Sequence, residues 1–247
     1  MNLISIPVWL GDFHECPYLP SERARLGWTD PEISLTPAIY THLVQAGFRR
    51  SGSSVYRPCC GKCSACVPVR IPVAEFAPNR SQARNWERNA DLAVSVGPAE
   101  FRENHYQLYR RYQAARHPRG AMASATREKY LDFLACSWGE TWFIEFRRGG
   151  DVLAVSVADR LEDGLSAVYS FFDPGFPKRG LGTYTILYLV EQVRRFGLRW
   201  CYLGYWIRGS RKMSYKDTFR PIEARIGDEW SRFERGQTIK LVVRDVL

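Results

Sequence analysis

The fold of this chain is decided by residues 164–182, which read GLSAVYSFFDPGFPKRGLG. The first nine residues are rich in β-branched and aromatic types, and they predict a strand that ends at the turn Asp173-Pro174-Gly175. A glycine-rich turn follows, and apolar spacing over residues 181–196 predicts a helix. A strand, a glycine turn and a helix in this order expose backbone N–H groups at the helix N-terminus, where a phosphate or an acyl donor can bind.

The segments around this motif extend the pattern. We predict helices over 98–116 and 126–137, strands over 141–146 and 152–158, and a last strand over 199–207. This order is that of the GNAT-type acyltransferase core. We therefore predict an α+β fold in which a mixed or antiparallel sheet is flanked by helices.

The first part of the chain has a different character. Prolines and closely spaced cysteines interrupt residues 1–95, and they predict a smaller α/β domain that contains the cysteines. Residues 67–76 read as a strand, and Pro68 and Pro72 favour an edge position for it. We therefore predict two domains, 1–95 and 96–247.

The composition is that of a folded protein. The 247 residues are 45% hydrophobic and 25% charged, which excludes disorder, collagen and coiled coil as global descriptions. The longest run of apolar and small residues, 180–190, is about half of the roughly 20 residues that span a bilayer. Residues 1–10 lack a basic region and a cleavage site, so we expect no signal peptide, no membrane association and a cytoplasmic location.

The net charge of +9 is concentrated in one segment. Residues 178–225 contain eleven basic and three acidic side chains, a net charge of +8, with tyrosines and a tryptophan between them. Cations that hold phosphates beside rings that stack on bases suit a single-stranded nucleic acid end. A solvated basic face with core aromatics is the alternative.

Four of the seven cysteines fall within residues 59–66. An odd number without an export signal argues against a disulfide framework. Cys60, Cys63 and Cys66 have a spacing that can form a thiolate knuckle, with Cys16 as a distant fourth ligand and His14 as the alternative to it. A structural zinc or iron–sulfur site and a set of reduced, partly buried thiols both fit this pattern.

Several phrases spread over both halves carry a family resemblance. They are HECPYL (14–19), FRRSG (48–52), CSACVPVR (63–70), NRSQ (79–82), ARHP (115–118), YLGYWI (202–207) and KMSYK (212–216). Together with the strand and turn described first, they resemble the arginyl-tRNA–protein transferase family over roughly residues 13–226. The chain length and these sequence motifs are similar to those of its bacterial branch, the aspartate/glutamate leucyltransferases.

The resemblance implies an aminoacyltransferase that moves leucine from leucyl-tRNA to proteins whose first residue is Asp or Glu, which creates an N-degron for degradation. Eukaryotic members transfer arginine, so arginyl-tRNA is the alternative donor. The catalytic half of the family resembles the GNAT fold but uses aminoacyl-tRNA in place of acyl-CoA, and no cofactor is required. Related eukaryotic enzymes bind metal or an iron–sulfur cluster through two cysteine pairs, and here only Cys16 stands at the place of the first pair.

Candidate catalytic residues follow from the reaction. Attack of an amine on an activated ester needs positioning, donors for the oxyanion and an acid for the departing ribose hydroxyl. Tyr169 is the candidate proton donor, and Asp173 is the candidate that orients or deprotonates the amine. The alternatives are that Tyr169 belongs to the core and that Asp173 only caps the turn.

Candidate binding residues divide into a donor set and an acceptor set. Phosphates and the ester call for cations and exposed backbone amides, and Lys212 and Lys216 are spaced to share a helical face. The predicted donor set is Lys178, Arg179, Gly180, Gly182, Arg211, Lys212 and Lys216. An acidic first residue calls for arginines, whose planar fork binds a carboxylate. The predicted acceptor set is Arg49, Arg50, Arg57, Arg70, Arg80 and Arg84.

Two other classes of function compete with this interpretation. One is an acetyl-CoA-dependent GNAT N-acetyltransferase, but those enzymes favour Arg or Gln three residues before the first glycine of the turn, where this chain has Pro177. The other is an RNA-binding module built on the cysteine knuckle, which leaves the acyltransferase-like second half unexplained.

Overall fold

The computed structural model of the chain describes residues 6–118, 122 and 125–239. Its centre is an eight-stranded mixed sheet that contains residues from both halves of the sequence. In spatial order its strands are β14 (Glu229–Phe233), β13 (Ile222–Ile226), β7 (Val67–Pro72), β12 (Trp200–Trp206), β11 (Gly164–Phe172), β10 (Asp151–Arg160), β9 (Thr141–Arg148) and β8 (Ala93–Pro98).

The second half of the chain forms the predicted GNAT-like arrangement. Strands β9, β10 and β11 pair antiparallel, and α5 (Leu181–Arg195) connects β11 to the parallel strand β12. The apolar stripe of α5 packs on this sheet, while α3 (Glu103–Arg116) and α4 (Arg127–Leu134) cover a second apolar cluster around β10 and β11. The predicted α+β class and the order of elements are confirmed.

The pairing of β11 with β12 is short. It covers only Gly164–Ser166 against Trp200–Tyr202. A bulge follows in β12, where the register with β7 shifts between Tyr202 and Gly204. The later parts of β11 and β12 therefore separate and leave a wedge between them that opens toward the glycine turn.

Strand β7 comes from the first half of the chain but lies inside the large sheet, between β12 and β13. The predicted edge position is therefore wrong. The physical reason is that pairing with β13 covers only Val69 and Arg70, so Pro68 and Pro72 lie outside that ladder and their missing N–H groups cost it nothing. The two-domain division at residue 95 stays a prediction.

The rest of the first half packs beside this sheet. A four-stranded sheet has the order β1 (Val8–Leu10), β4 (Leu26–Thr29), β6 (Ser54–Pro58) and β5 (Arg49–Ser51), and β2 (His14–Glu15) pairs with β3 (Arg23–Ala24). Helix α1 (Pro37–Gln45) begins after Thr36, whose hydroxyl accepts from the N–H of Ile39. Helix α2 (Arg80–Arg88) begins with a capping box of Asn79 and Gln82. None of the helices in the described ranges is long and apolar enough to cross a bilayer.

Candidate functional site

The predicted catalytic residues lie where β11 borders the wedge. The Tyr169 hydroxyl accepts a 2.9 Å hydrogen bond from Gln113, and its ring packs edge-on against Phe133. Burial raises the pKa of Tyr169 well above its ordinary value, so the hydroxyl keeps its proton at neutral pH. The raised pKa also makes this phenol a weaker acid than an ordinary tyrosine, so it can give its proton only to a strongly basic group such as a departing alkoxide.

Asp173 has a visible structural role at the end of the same strand. One carboxylate oxygen accepts a 2.8 Å bond from the Gly175 N–H, and the other lies 3.4 Å from the guanidinium of Arg111. This carboxylate fixes the turn that leads to α5. The predicted catalytic roles of Tyr169 and Asp173 stay predictions.

The glycine turn before α5 is held by α2. A short 3₁₀ helix, Pro177–Arg179, leads into Gly180, which adopts a left-handed conformation with φ 59° and starts α5. Asn85 donates to the carbonyls of Arg179 and Gly180 at 2.8 and 3.1 Å. A Cβ at Gly180 would lie 2.6 Å from the Asn85 amide nitrogen, so this position requires glycine on both grounds.

A basic cleft of about 350 Å³ opens at this junction of α2 and α5. Three cations line it, Arg84, Arg88 and Lys178, together with Ser81 and Thr183. The cleft lies at the amino end of a fifteen-residue helix, where the N–H groups and the helix dipole favour an anion. We name it the donor cleft.

The donor cleft changes the grouping of the predicted residues. Arg84, predicted in the acceptor set, lines this cleft beside Lys178 and Gly180. Arg179 turns away from it, because its guanidinium binds Asp91 with two hydrogen bonds of 2.8 Å. Arg88, which the sequence analysis did not select, lines the cleft as well, and its signal was the i, i+4 spacing from Arg84.

Two arginines of the predicted acceptor set are occupied within the fold. Arg50 forms a two-pronged pair with Asp159 at 2.6 Å and donates to the carbonyls of Gly52 and Leu134. Arg70 pairs with Glu223 and stacks on the rings of Trp200 and Trp230. Their donors already have partners within the fold, and the expectation that they bind a substrate carboxylate stays a prediction. Arg57 and Arg80 are exposed.

Arg49 differs from these arginines. It is 6% exposed, and its Nε and Nη2 atoms have no hydrogen-bond partner among the described residues. Its Nη1 donates to the carbonyl of Phe48 at 2.7 Å, and the guanidinium lies 5.7 Å from the ring centroid of Tyr205. A buried guanidinium with two free donors is an unusual and costly arrangement.

Lys216 lies beside Arg49 rather than on the surface. It is 7% exposed, and its ammonium group donates to the Tyr205 carbonyl at 2.7 Å. Burial, followed by repulsion from the Arg49 guanidinium, lowers the pKa of Lys216 to about 7. Lys212 and Arg211 are exposed, and residues 214–218 form a 3₁₀ helix. The structure therefore corrects the predicted shared face of Lys212 and Lys216, because the 3₁₀ turn directs Lys216 inward.

The cysteine cluster lines a second cavity of about 220 Å³, close to these two cations. Its walls include Cys16, Cys60, Cys63 and Cys66 together with Tyr18, Tyr56 and Tyr205. Burial raises the pKa of Cys66 to about 12, so this thiol is protonated. We name this cavity the tyrosine–thiol pocket.

The thiols of this pocket do not form a ligand set in the described part of the chain. Across residues 6–118, 122 and 125–239, no three His, Cys, Asp or Glu side chains are arranged to hold a metal ion. The predicted zinc or iron–sulfur site at Cys16, Cys60, Cys63 and Cys66 stays a prediction, and no chemical step below depends on it.

The chain has a GNAT-like order of elements and a basic cleft at the amino end of α5. Family comparison gives the class of protein: the profile described as "Arginine-tRNA-protein transferase, C terminus" matches residues 104–226, and the corresponding N-terminal profile matches residues 14–84. The chain belongs to the arginine-tRNA–protein transferase family. The predicted family is confirmed.

Similar proteins include two bacterial enzymes called aspartate/glutamate leucyltransferase. The protein of Nitrosococcus oceani is 52% identical over 90% of this chain and 96% of its own length. That of Hahella chejuensis is 47% identical over 93% of this chain and 98% of its own length. Among solved structures, L-PGS from Bacillus licheniformis matches 61% of this chain and 48% of its own with 13% identity and a TM-score of 0.46, which is too loose to add to the fold description.

Proposed function

We propose that this protein is an aspartate/glutamate leucyltransferase, which transfers leucine from leucyl-tRNA to the α-amino group of proteins that begin with Asp or Glu. The observation that carries the proposal is the 52% identity to such an enzyme over 96% of that enzyme's length. The product then carries an N-terminal leucine, an N-degron, and we propose that the reaction takes place in the cytoplasm.

The reaction is a direct aminolysis. The neutral α-amine attacks the carbonyl carbon of the leucyl ester, a C–N bond forms, and the C–O bond to the terminal ribose breaks. The amine loses one proton and the ribose oxygen gains one, so the proton count balances without an oxidant or a cofactor. Because the ester is already activated, positioning and oxyanion stabilisation supply much of the rate.

The donor cleft and Tyr169 have separate roles in the proposed reaction. The donor cleft offers Arg84, Arg88 and Lys178 to phosphates near the 3′ end of the tRNA, as cations do in other nucleic-acid sites. The protonated Tyr169 hydroxyl is suited to give its proton to the departing ribose oxygen. Arg211 and Lys212 are exposed and offer further cations to the acceptor stem.

The test is a grid of donors and acceptors read by mass spectrometry. Peptides that begin with Asp, Glu, Lys or Ala are incubated with leucyl-tRNA, arginyl-tRNA or acetyl-CoA. We expect leucine on the Asp and Glu peptides alone. Arginine on the same peptides would overturn the donor assignment, and acetylation without transfer from either tRNA would overturn the tRNA-dependent mechanism.

A further inference from the structure

We propose that Arg49 and Lys216 together form the receptor for the side-chain carboxylate of the acceptor's first residue, beside the tyrosine–thiol pocket. The inference rests on the proposed function and names the groups that select the acceptor. Its starting point is geometric: two cations from distant parts of the sequence are buried side by side, and their donors are incompletely used.

The free donors of Arg49 lie on one edge of its guanidinium. Nε and Nη2 form the fork that binds both oxygens of a carboxylate, and both are without a partner among the described residues. The neighbouring residue shows what such a fork accepts, since Arg50 uses the same two atoms to hold Asp159. Arg49 presents the same edge to a carboxylate that the fold does not supply.

Lys216 makes the same region more cationic. Its described polar contacts are the Tyr205 carbonyl and the Met213 sulfur, so no carboxylate neutralises it. Burial and the neighbouring Arg49 charge make a protonated Lys216 costly, and its lowered pKa leaves it only partly protonated at neutral pH until an anion arrives. An acidic side chain repays part of that cost on binding, and a neutral or basic one does not.

Gly204 provides space at this point. It lies at the bulge of β12 with φ +77°, and a Cβ there would lie 3.5 Å from Nε of Arg49 and 3.7 Å from Nζ of Lys216. Both cations therefore border the space above this glycine. A side chain at this position would occupy the point that both cations border, so we infer that glycine keeps this point available to a carboxylate.

The tyrosine–thiol pocket is separated from these cations by its wall residue Tyr205, and neither cation lines the pocket itself. Tyr205 contacts both cations: its carbonyl accepts from Nζ of Lys216 at 2.7 Å, and its ring centroid lies 5.7 Å from the Arg49 guanidinium. The cations therefore lie within electrostatic range of the pocket wall. A cavity of about 220 Å³ with largely apolar walls suits one amino-acid side chain, whereas a polynucleotide backbone needs an open groove.

The experiment compares peptides that begin with Asp and with Asn, because the two side chains have nearly the same shape and differ in charge. In the wild type we expect Asp to exceed Asn in kcat/KM by about 100-fold, because hydrogen bonds from these cations to a carboxylate are stronger than those to a neutral amide. Arg49→Met and Lys216→Met should reduce that ratio to below about tenfold. The KM for leucyl-tRNA should not change.

Matched controls separate charge from fold. Arg49→Lys keeps the charge but lacks the fork, so it should retain only part of the preference, more than Arg49→Met does. The exposed changes Arg110→Met and Lys129→Met should leave the preference intact. Thermal melting of Arg49→Met should show no loss of stability, because the mutation removes an incompletely paired buried cation. An unchanged Asp/Asn ratio in both Met variants would overturn the proposal.

A binding experiment tests the carboxylate site independently of leucine transfer. We expect the dipeptide Asp-Ala, and not Asn-Ala, to raise the melting temperature of the wild type, and this shift to vanish in both Met variants. Equal shifts for both dipeptides would overturn the site even if leucine transfer is found. If Asp-Ala binds selectively but no leucine is transferred in the grid above, the carboxylate site stands and the proposed function fails.

Discussion

Arg49 and Arg50 are neighbours on β5, both are buried, and they have opposite environments. Arg50 is fully engaged: its fork binds Asp159, and Thr141 and the Leu134 carbonyl take further contacts. Arg49 has the same fork free within the described structure. Successive residues of a strand face opposite sides of the sheet. Arg50 therefore faces Asp159 and is paired, whereas Arg49 faces the other side and is unpaired among the described residues.

This difference indicates that Arg50 stabilises the fold, whereas Arg49 does not. The Arg50–Asp159 pair joins β5 to β10 across 109 residues of sequence, and Tyr40 adds a hydrogen bond to the same carboxylate. Arg49 joins nothing comparable and lies next to a second cation. An unfavourable buried charge in a stable fold is a common mark of a binding site, where function opposes stability.

The largest loss of stability is expected from removing the ion pair between Arg50 and Asp159. Arg50→Met leaves the Asp159 carboxylate buried without its partner and should lower the free energy of unfolding by about 3–5 kcal/mol. Arg49→Met, one residue away, should not lower it. Urea denaturation of both variants measures the contrast directly.

The double variant Arg50→Met/Asp159→Leu is the control for this prediction. Replacing both ions by apolar groups removes the unpaired charge, so stability should recover by more than half relative to Arg50→Met. Equal destabilisation by Arg49→Met and Arg50→Met would show that the two arginines have the same structural role.

A smaller loss of stability is expected from placing a side chain at Gly204, next to the unpaired Arg49. Gly204→Ala and Gly227→Ala both place alanine at a positive φ, +77° and +63°, and each should cost roughly 1–2 kcal/mol of stability. Only Gly204 faces Arg49 and Lys216, since nothing lies within 4 Å of a Cβ at Gly227.

The two alanine variants should therefore differ in acceptor affinity and not in stability. We expect the KM for an Asp peptide to rise about tenfold in Gly204→Ala, equivalent to about 1.4 kcal/mol, and to stay near the wild-type value in Gly227→Ala. Steady-state kinetics at saturating leucyl-tRNA measures the KM for the Asp peptide in each variant. A similar KM in both variants would place the carboxylate elsewhere.

The comparison also shows how far sequence alone leads. The strand, glycine turn and helix around residues 164–195 follow from local periodicity and turn chemistry, and their order predicted the fold correctly. Arg49 and Arg50 cannot be distinguished in this way, because both are arginines in one phrase. What separates them is Asp159, a partner from another strand that only the folded sheet brings near.

Lys216 gives the same lesson for spacing. A separation of four residues from Lys212 predicts a shared face only if the segment is an α-helix. Residues 214–218 instead form a 3₁₀ turn whose side-chain directions differ, and the ammonium group points to the carbonyl of Tyr205. The sequence identified the basic residues that are candidates for binding. Which of them lie together in one site depends on the tertiary structure.

The smallest effect is expected from the exposed cations of the donor cleft, which neither stabilise the fold nor suffer burial. Arg84→Ala should leave the unfolding free energy within about 0.5 kcal/mol of the wild type and weaken leucyl-tRNA binding most at low salt. If Arg84 contacts one phosphate, the slope of log K against log salt should fall by about 0.7, the value for one contact on a single strand. Arg80→Ala is the matched control, since Arg80 is exposed on the same helix but does not line the cleft. An equal change of slope in the two variants would mean that the effect comes from the general charge of α2 rather than from a phosphate held in the cleft.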